Sequence, residues 1–359
     1  MHAAATAVIL GLLATPTTPA GASDAVRNGL KWLAAQQKAD GTWESMNGFP
    51  TATTATAGLA LLMQGSTPKE GLYAAHIRKT IGWLEANVGD KGMLAGKGQQ
   101  EVYQDITSHV QALLFLACAY DADDDTDRRA RVAKVLAKAT AFLVERQTAR
   151  GGWGAAGPQP GNDYDDSQST ATALEALLAV RKAGIEVPKK ATDAAVQYLV
   201  KATNKDGGVT SSIYGGQMPR GNDGQPMLSA MAAAGALMQD GSRPGVFAKW
   251  VKTASGPNAA QAFVYLRNGS AVYGLFQMSH LARVAFALGE NGHRKIDPDA
   301  RDENLLRWSV HRAKLFKALK EAQGKDGAWA DAGYGPAYPT ALALVILQLD
   351  NDYLPAFSR

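Results

Sequence analysis

Cysteine is almost absent from this chain of 359 residues. Cys118 is the single one, so no disulfide framework can staple the fold, and a buried, inert thiol is the expected state of that side chain. Charge is sparse at 19% of residues, and 37 Lys and Arg against 33 Asp and Glu leave a net charge of only +4. The signs are mixed along the chain and form no basic stripe, which excludes nucleic acid as the expected partner. Long apolar runs are missing as well. The stretch Ala3 to Ala14 is too short to cross a bilayer, so no transmembrane span is expected. No Pro/Ser-rich linker or block of like charge divides residues 23–359, and they read as one domain.

The same apolar stretch is broken by Pro16 and Pro19 and followed by Ala20-Gly21-Ala22 before Ser23. That small-x-small pattern has the form of a signal-peptidase site. Residues 1–22 are therefore read as a cleavable signal peptide, and the protein as exported, to the periplasm or beyond.

What the chain does have is a block that recurs along its length: an aromatic-Leu pair, a Gln four residues on, then Gly-x-Trp. It reads Trp32-Leu33, Gln37, Gly41-Thr42-Trp43, and again Phe142-Leu143, Gln147, Gly151-Gly152-Trp153. Near the end it reads Ala318-Leu319, Gln323, Gly327-Ala328-Trp329. Weaker copies run from Trp83-Leu84 to Gly92-Met93-Leu94 and from Tyr198-Leu199 to Gly207-Gly208-Val209. Ala-rich apolar runs follow each copy, at Thr54 to Met63, His109 to Ala119, Thr170 to Val180, Ser229 to Met238 and Thr340 to Leu349. Residues 243–289 supply a further unit, with Trp250 on its first helix and Ser279 to Leu288 on its second, but without the Gly-x-Trp turn.

A period of about 50 residues or more marks a repeat architecture rather than a string of independent domains. The unit is helix, Gly-rich turn, helix. The first helix carries its charges on one side and suits an outer ring with one wet face, whereas the second is nearly uncharged and must be surrounded by protein. Six such hairpins close into an all-α, α/α6 toroid. Twelve principal helices are expected, the inner ones starting near Thr53, Thr107, Gln168, Met227, Gln277 and Pro339.

The block resembles the Gln-Trp repeat of the squalene and oxidosqualene cyclases. Their toroid is shared with the β-subunits of protein prenyltransferases and with complement-type thioester domains. The likeness covers residues 23–359 and is greatest to single-toroid, squalene-cyclase-like "prenyltransferase/squalene oxidase repeat" proteins of bacteria, whose third repeat carries an Asp-rich lead into its inner helix. Here that lead is Asp163-Tyr164-Asp165-Asp166-Ser167-Gln168-Ser169-Thr170. Class II terpene cyclases protonate an alkene from an Asp-x-Asp-Asp-Thr-Ala motif, so the resemblance implies Asp165, Asp166 and Asp163 as candidate catalytic carboxylates. The repeat register aligns Thr170-Ala171 with Thr54-Ala55 and Thr340-Ala341, which moves the donor position onto Gln168. The alternative for Asp165, Asp166 and Ser167 is to cap the inner helix. The prenyltransferase zinc site has no counterpart, because Cys118 lacks an Asp-x-Cys context, and no Gly-Cys-Gly-Glu-Gln thioester segment occurs.

All inner helices of such a ring begin at one mouth, so polar residues at their starts converge there: Thr53, Thr54, Asp105, Ser108, Asp223, Ser229, Gln277 and Thr340 among them. The ligand-binding candidates are His109 and His280, which open two inner helices in one register and have as their alternative a helix cap or a satisfied core position, together with Gln168, Thr170 and Tyr338. Arg283 and Glu175, the two charges inside the apolar runs, either face the central cavity or carry a heavy desolvation cost. The Asp121, Asp123, Asp125, Asp127 alternation lacks the Gly and the bidentate Glu of a calcium loop and reads as a capping turn. No metal or cofactor is expected. The expected ligand is a hydrophobic molecule held in a central funnel, an isoprenoid being one candidate. Two alternatives stand beside it: a non-catalytic scaffold for an envelope or protein partner, and a class II terpene cyclase. A funnel plugged by its own side chains would favour the scaffold.

Overall fold

The computed structural model describes residues 20–95, 98–216, 224–237, 244–256, 261–268 and 271–357. The expected leader lies outside the described residues up to position 19, as does Asp223. Among the described residues there are fourteen α-helices and no β-strand beyond isolated bridges. None of the helices is long and apolar enough to cross a membrane.

Six helices form the inner ring: α2 (Pro50–Leu62), α4 (Asp105–Asp121), α6 (Ser167–Lys182), α8 (Pro226–Leu237), α11 (Ala271–Leu288) and α14 (Ala337–Leu347). Each packs on the next, and α14 packs back on α2, so the ring is closed. Every residue of α14 is buried, as is every residue of α2 after its proline, as expected for helices with protein on all sides. The outer helices are α1 (Ala20–Ala35), α3 (Ala74–Asn87), α5 (Thr126–Glu145), α7 (Lys189–Lys201), α9 (Pro244–Ser255) and α13 (Trp308–Ala322). Two shorter helices, α10 (Gln261–Arg267) and α12 (Gly292–Ile296), raise the number above the expected twelve.

The recurring block is the joint that builds the ring. Each indole is at most 1% exposed, and its Nε1 donates to the carbonyl of the Leu in the preceding aromatic-Leu or Ala-Leu pair. Those bonds are Trp43 to Leu33 (2.7 Å), Trp153 to Leu143 (2.7 Å) and Trp329 to Leu319 (2.8 Å). The Gln amide bonds its own turn and the next outer helix. Gln37 donates to Gly41 and His76, Gln147 to Gly151 and Ala191, and Gln323 to Gly327 and Ala25. The last of these ties the end of the chain to α1. Five turn glycines, Gly41, Gly92, Gly151, Gly207 and Gly327, have φ between 92° and 98°. A Cβ on any of them would overlap the backbone of the next outer helix, at Lys79, Lys138, Ala194, Lys249 and Asn28 respectively. Glycine is needed there both for the left-handed backbone and for the close approach.

Five of the six inner helices start within three residues of the expected positions. The exception is α11, which begins at Ala271, six residues before Gln277. Its unit has no Gly-x-Trp turn. Helix α10 instead packs directly on α11, with Gly274 against the Ala262 carbonyl, and Asp331 accepts from the Val272 amide at 3.0 Å.

Candidate functional site

The loops from outer to inner helices all lie at one end of the ring, and a cavity of about 360 Å3 opens there. It is lined at the first turns of α2 (Ala52, Thr53), α6 (Gln168, Ser169), α8 (Leu228) and α14 (Tyr338), by Phe276 of α11, and by loop residues that include Asn47, Gln104, Tyr164, Asp166, Ser211, Gln225 and Tyr334. One wall is aromatic. Phe276 lies 5.9 Å from Tyr338, which stacks on Tyr334 at 5.9 Å. The rest of the lining is rich in hydrogen-bonding side chains: besides the tyrosines, nine of the seventeen lining residues are polar, eight of them neutral and none cationic. Among the described residues the only lining carboxylate is Asp166.

Three of the sequence candidates reach this cavity: Asp166, Gln168 and Tyr338. Asp166 is the N-cap of α6, its carboxylate accepting from the Ser169 amide (2.7 Å) and hydroxyl (2.9 Å). Burial raises its pKa above the ordinary value, and the bonds from Ser169 oppose the rise. Burial likewise raises the Tyr338 phenol far above its usual range.

The other candidates are elsewhere, each for a visible reason. Asp165 does not cap the helix. It is fully buried and turned toward the outer ring, where Thr148 (2.5 Å), Arg150 (2.8 Å) and Tyr198 (2.9 Å) donate to it. Asp163 pairs with Arg150 at 2.9 Å. A carboxylate enclosed by three donors, with no face on the cavity, is in no position to protonate a ligand there, and the same enclosure explains why an Asp sits in a buried turn. Thr170 is a fold residue: its hydroxyl receives the Trp153 amide (3.0 Å) and donates to the Asp166 carbonyl (2.6 Å).

His109 occupies the position that Thr54, Thr170, Ser229 and Thr340 hold in other units. Each of those hydroxyls receives the amide of the turn residue, Trp43, Trp153, Val209 or Trp329. In this unit His109 Nδ1 receives the Leu94 amide at 2.9 Å, and Nε2 lies 3.1 Å from the Ala139 carbonyl on α5. Those two partners require a neutral ring protonated on Nε2. Burial pushes its pKa down to about 4. The expectation that His109 lines the ring is thus corrected: it faces outward, between layers.

Glu175, His280 and Arg283 do face inward, and they meet. Arg283 pairs with Glu175 at 2.9 Å, and His280 Nε2 lies 3.7 Å from the same oxygen. His280 is stacked under Phe276, one turn deeper than the cavity wall. Below the cluster the chain's own C-terminal segment crosses the ring. Asn351 and Gln348 donate to carbonyls of Met63 and Ala60, Lys182 donates to Pro355 at 3.0 Å, and Arg283 covers the Phe357 ring at 4.5 Å. The central funnel is closed below the mouth.

Neither Cys118 nor the Asp121–127 turn belongs to this site. The buried Cys118 thiol is pushed up to about 12 by desolvation, and Asp125 caps α5 by accepting from the Arg128 amide at 2.8 Å. Among the described residues no three His, Cys, Asp or Glu side chains are grouped to hold a metal ion. What the sequence reading missed are the loop residues Asn47, Gln104, Ser211, Gln225 and Tyr334. They sit in turns without periodicity, and no local signal marks them.

No family model matches the chain, and no curated protein is similar to it in sequence. Solved structures are similar in fold. An α-1,6-mannanase of Salegentibacter, an inactive variant in complex with α-1,6-mannotriose, superposes with a TM-score of 0.64 at 11% identity, covering 92% of this chain and 99% of that one. For a protein from Actinoplanes the TM-score is 0.56 at 14% identity, over 92% and 99%. The type II terpene cyclase MstE of Scytonema, in complex with geranylgeranyl dihydroxybenzoate, gives 0.54 at 14% identity, over 93% and 98%. The chain therefore shares the α/α toroid with a glycoside hydrolase and a terpene cyclase, and at these identities it is the fold alone that is shared.

Proposed function

We propose that this protein is a non-catalytic saccharide-binding toroid whose ligand enters the mouth of the ring. The observation that carries the reading is the make-up of the cavity: an aromatic wall of Phe276, Tyr338 and Tyr334 in one lining with Gln168, Ser169, Asn47, Gln104 and Gln225. A sugar presents an apolar ring face and a rim of hydroxyls, and such a cavity matches both. An isoprenoid has no use for nine polar lining residues, and among the described residues a diphosphate would find no lysine or arginine lining the cavity. The C-terminal segment across the far end supports the same choice, since among the described residues it stands in the path of an extended hydrocarbon running through the ring.

Catalysis is not supported by the carboxylates. Glycoside hydrolysis needs two carboxyl groups flanking the bond, and among the described residues Asp166 is the single one lining the cavity. The mannanase of similar fold was inactivated by changing two consecutive aspartates to asparagine. Asp165 and Asp166 are consecutive here too, yet they point opposite ways, and Asp165 is spent on Thr148, Arg150 and Tyr198. Export by way of the 1–22 leader belongs to this proposal, because it would bring the mouth to extracellular or envelope glycans. The mature N-terminus, read by mass spectrometry, checks it.

The test is calorimetric titration with mannose, α-1,6-mannotriose, maltotriose and cellotriose, and with geranylgeraniol in detergent. At least one saccharide is expected to bind without being cleaved, and Gln168→Ala is expected to weaken it about 5- to 10-fold through a lost hydrogen bond. Binding of geranylgeraniol with no saccharide bound, or release of reducing sugar, would overturn the reading.

A further inference from the structure

Of the eleven exposed large hydrophobic side chains among the described residues, seven are on the mouth face. Met46, Val102, Tyr103, Tyr164, Tyr214, Tyr265 and Tyr273 are all between 37% and 74% exposed, and they belong to loops, to the last turn of α10 or to the first turn of α11 at that end. Two of these tyrosines are built into a unit rather than scattered. Tyr164, which lines the cavity with one side, meets the Tyr214 ring edge-on at 5.5 Å. The Arg150 guanidinium lies 5.0 Å from the centre of the Tyr214 ring.

Arg150 is held in turn by the Asp-rich lead, through Asp163, the Asp163 carbonyl and the buried Asp165. Ser212 closes the assembly by donating to the Asp165 carbonyl at 2.6 Å and accepting from the Tyr214 amide at 2.9 Å. Two mouth loops are thus stitched together around one exposed aromatic pair. A solvent-exposed aromatic pair fixed by a half-buried ion pair is ready to stack on a ligand at little further entropic cost.

We propose that Tyr164 and Tyr214 form a second stacking platform that runs from the edge of the cavity outward, so that the ligand is an oligosaccharide whose terminal unit occupies the cavity and whose next units lie along this pair. Resting on the saccharide reading above, this assigns Asp163, Asp165 and Arg150 a positioning role for the platform. It also accounts for an Asp-rich segment that does no proton chemistry: its carboxylates anchor the arginine that supports the tyrosines.

The test uses mannose, α-1,6-mannobiose and α-1,6-mannotriose, with parallel malto- and cello-oligosaccharides, titrated against the full chain and against Tyr214→Ala and Tyr214→Phe. Tyr214 is partly exposed, so both variants should keep the wild-type circular dichroism. In the wild type, affinity should rise about tenfold or more from the monosaccharide to the trisaccharide. Tyr214→Ala should remove most of that gain, roughly 3- to 10-fold as aromatic contacts are worth, and leave monosaccharide affinity unchanged, while Tyr214→Phe should restore the gain. Equal affinity at every length, or equal loss for mono- and trisaccharide in Tyr214→Ala, would overturn the platform and leave the cavity reading standing. Failure of every saccharide at every length would overturn both.

Discussion

At the scale of single residues, the acidic lead shows how a motif can be a motif of structure. Asp166 caps α6, and Asp165, one residue earlier, is buried against Arg150, Thr148 and Tyr198. Asparagine serves well as a cap but cannot pair with a guanidinium. Asp165→Asn is therefore expected to cost on the order of 3 kcal/mol in denaturant unfolding, the loss for breaking a buried charged interaction; a cost below about 1 kcal/mol would show the pair to be idle. His109 gives a pH dependence. Its pKa falls from 6.5 to about 4 on folding, so the unfolded state takes up the proton first. The stability it contributes is complete above about pH 6.5 and is lost progressively as pH drops toward 4, roughly 3 kcal/mol in all. His109→Asn keeps an acceptor for the Leu94 amide and should flatten that part of the stability profile; an unchanged slope between pH 7 and 4.5 would refute the assignment. Both roles were out of reach of the sequence. Asp165 is decided by Tyr198, 33 positions away, and His109 by a carbonyl on α5. The alignment of His109 with Thr54 and Thr340 was visible, but a histidine standing in for a threonine hydroxyl is read only from the bond it accepts.

At the scale of elements, the joints were legible because they are local. Gln-to-Trp spacing, positive-φ glycine and indole-to-leucine bonding all fall within one turn and recur, so the helix pairs and five of the inner starts followed from the sequence. In the fifth unit the helix pair was legible, with Trp250 on α9 and Ser279 to Leu288 on α11, but the joint was not, since α10 and the early start of α11 replace a turn that has no signature. Close packing of the inner ring sets another expectation. Gly58 of α2 faces the Phe115 ring of α4 so closely that a Cβ would overlap it, whereas Gly82 on exposed α3 has nothing within 4 Å. Gly58→Ala should destabilise by about 1 to 3 kcal/mol through overpacking. Gly82→Ala should stabilise by about 0.5 to 1 kcal/mol through helix propensity. Melting of the two variants side by side checks the contrast, and a neutral Gly58→Ala would mean that α2 and α4 are not in contact there.

At the scale of the whole molecule, one ring has two unlike ends. The far end is crossed by the C-terminal segment, with Phe357 under Arg283, and the interior above it is filled by the Glu175, His280 and Arg283 cluster. The mouth carries the cavity, its polar rim and the exposed tyrosines. Toroids that process hydrocarbons need an open, apolar interior, so the closed funnel is what turns the account from a hydrophobic ligand to a saccharide at the mouth. The direct measurement is a map of backbone amide shifts in the labelled protein during titration with α-1,6-mannotriose and, separately, with geranylgeraniol. The account predicts saccharide-induced shifts centred on Thr53, Gln168, Ser169 and Tyr338, with Glu175 and Arg283 unmoved. Shifts centred on Glu175, His280 and Arg283 with geranylgeraniol, and none at the mouth with the saccharide, would contradict it.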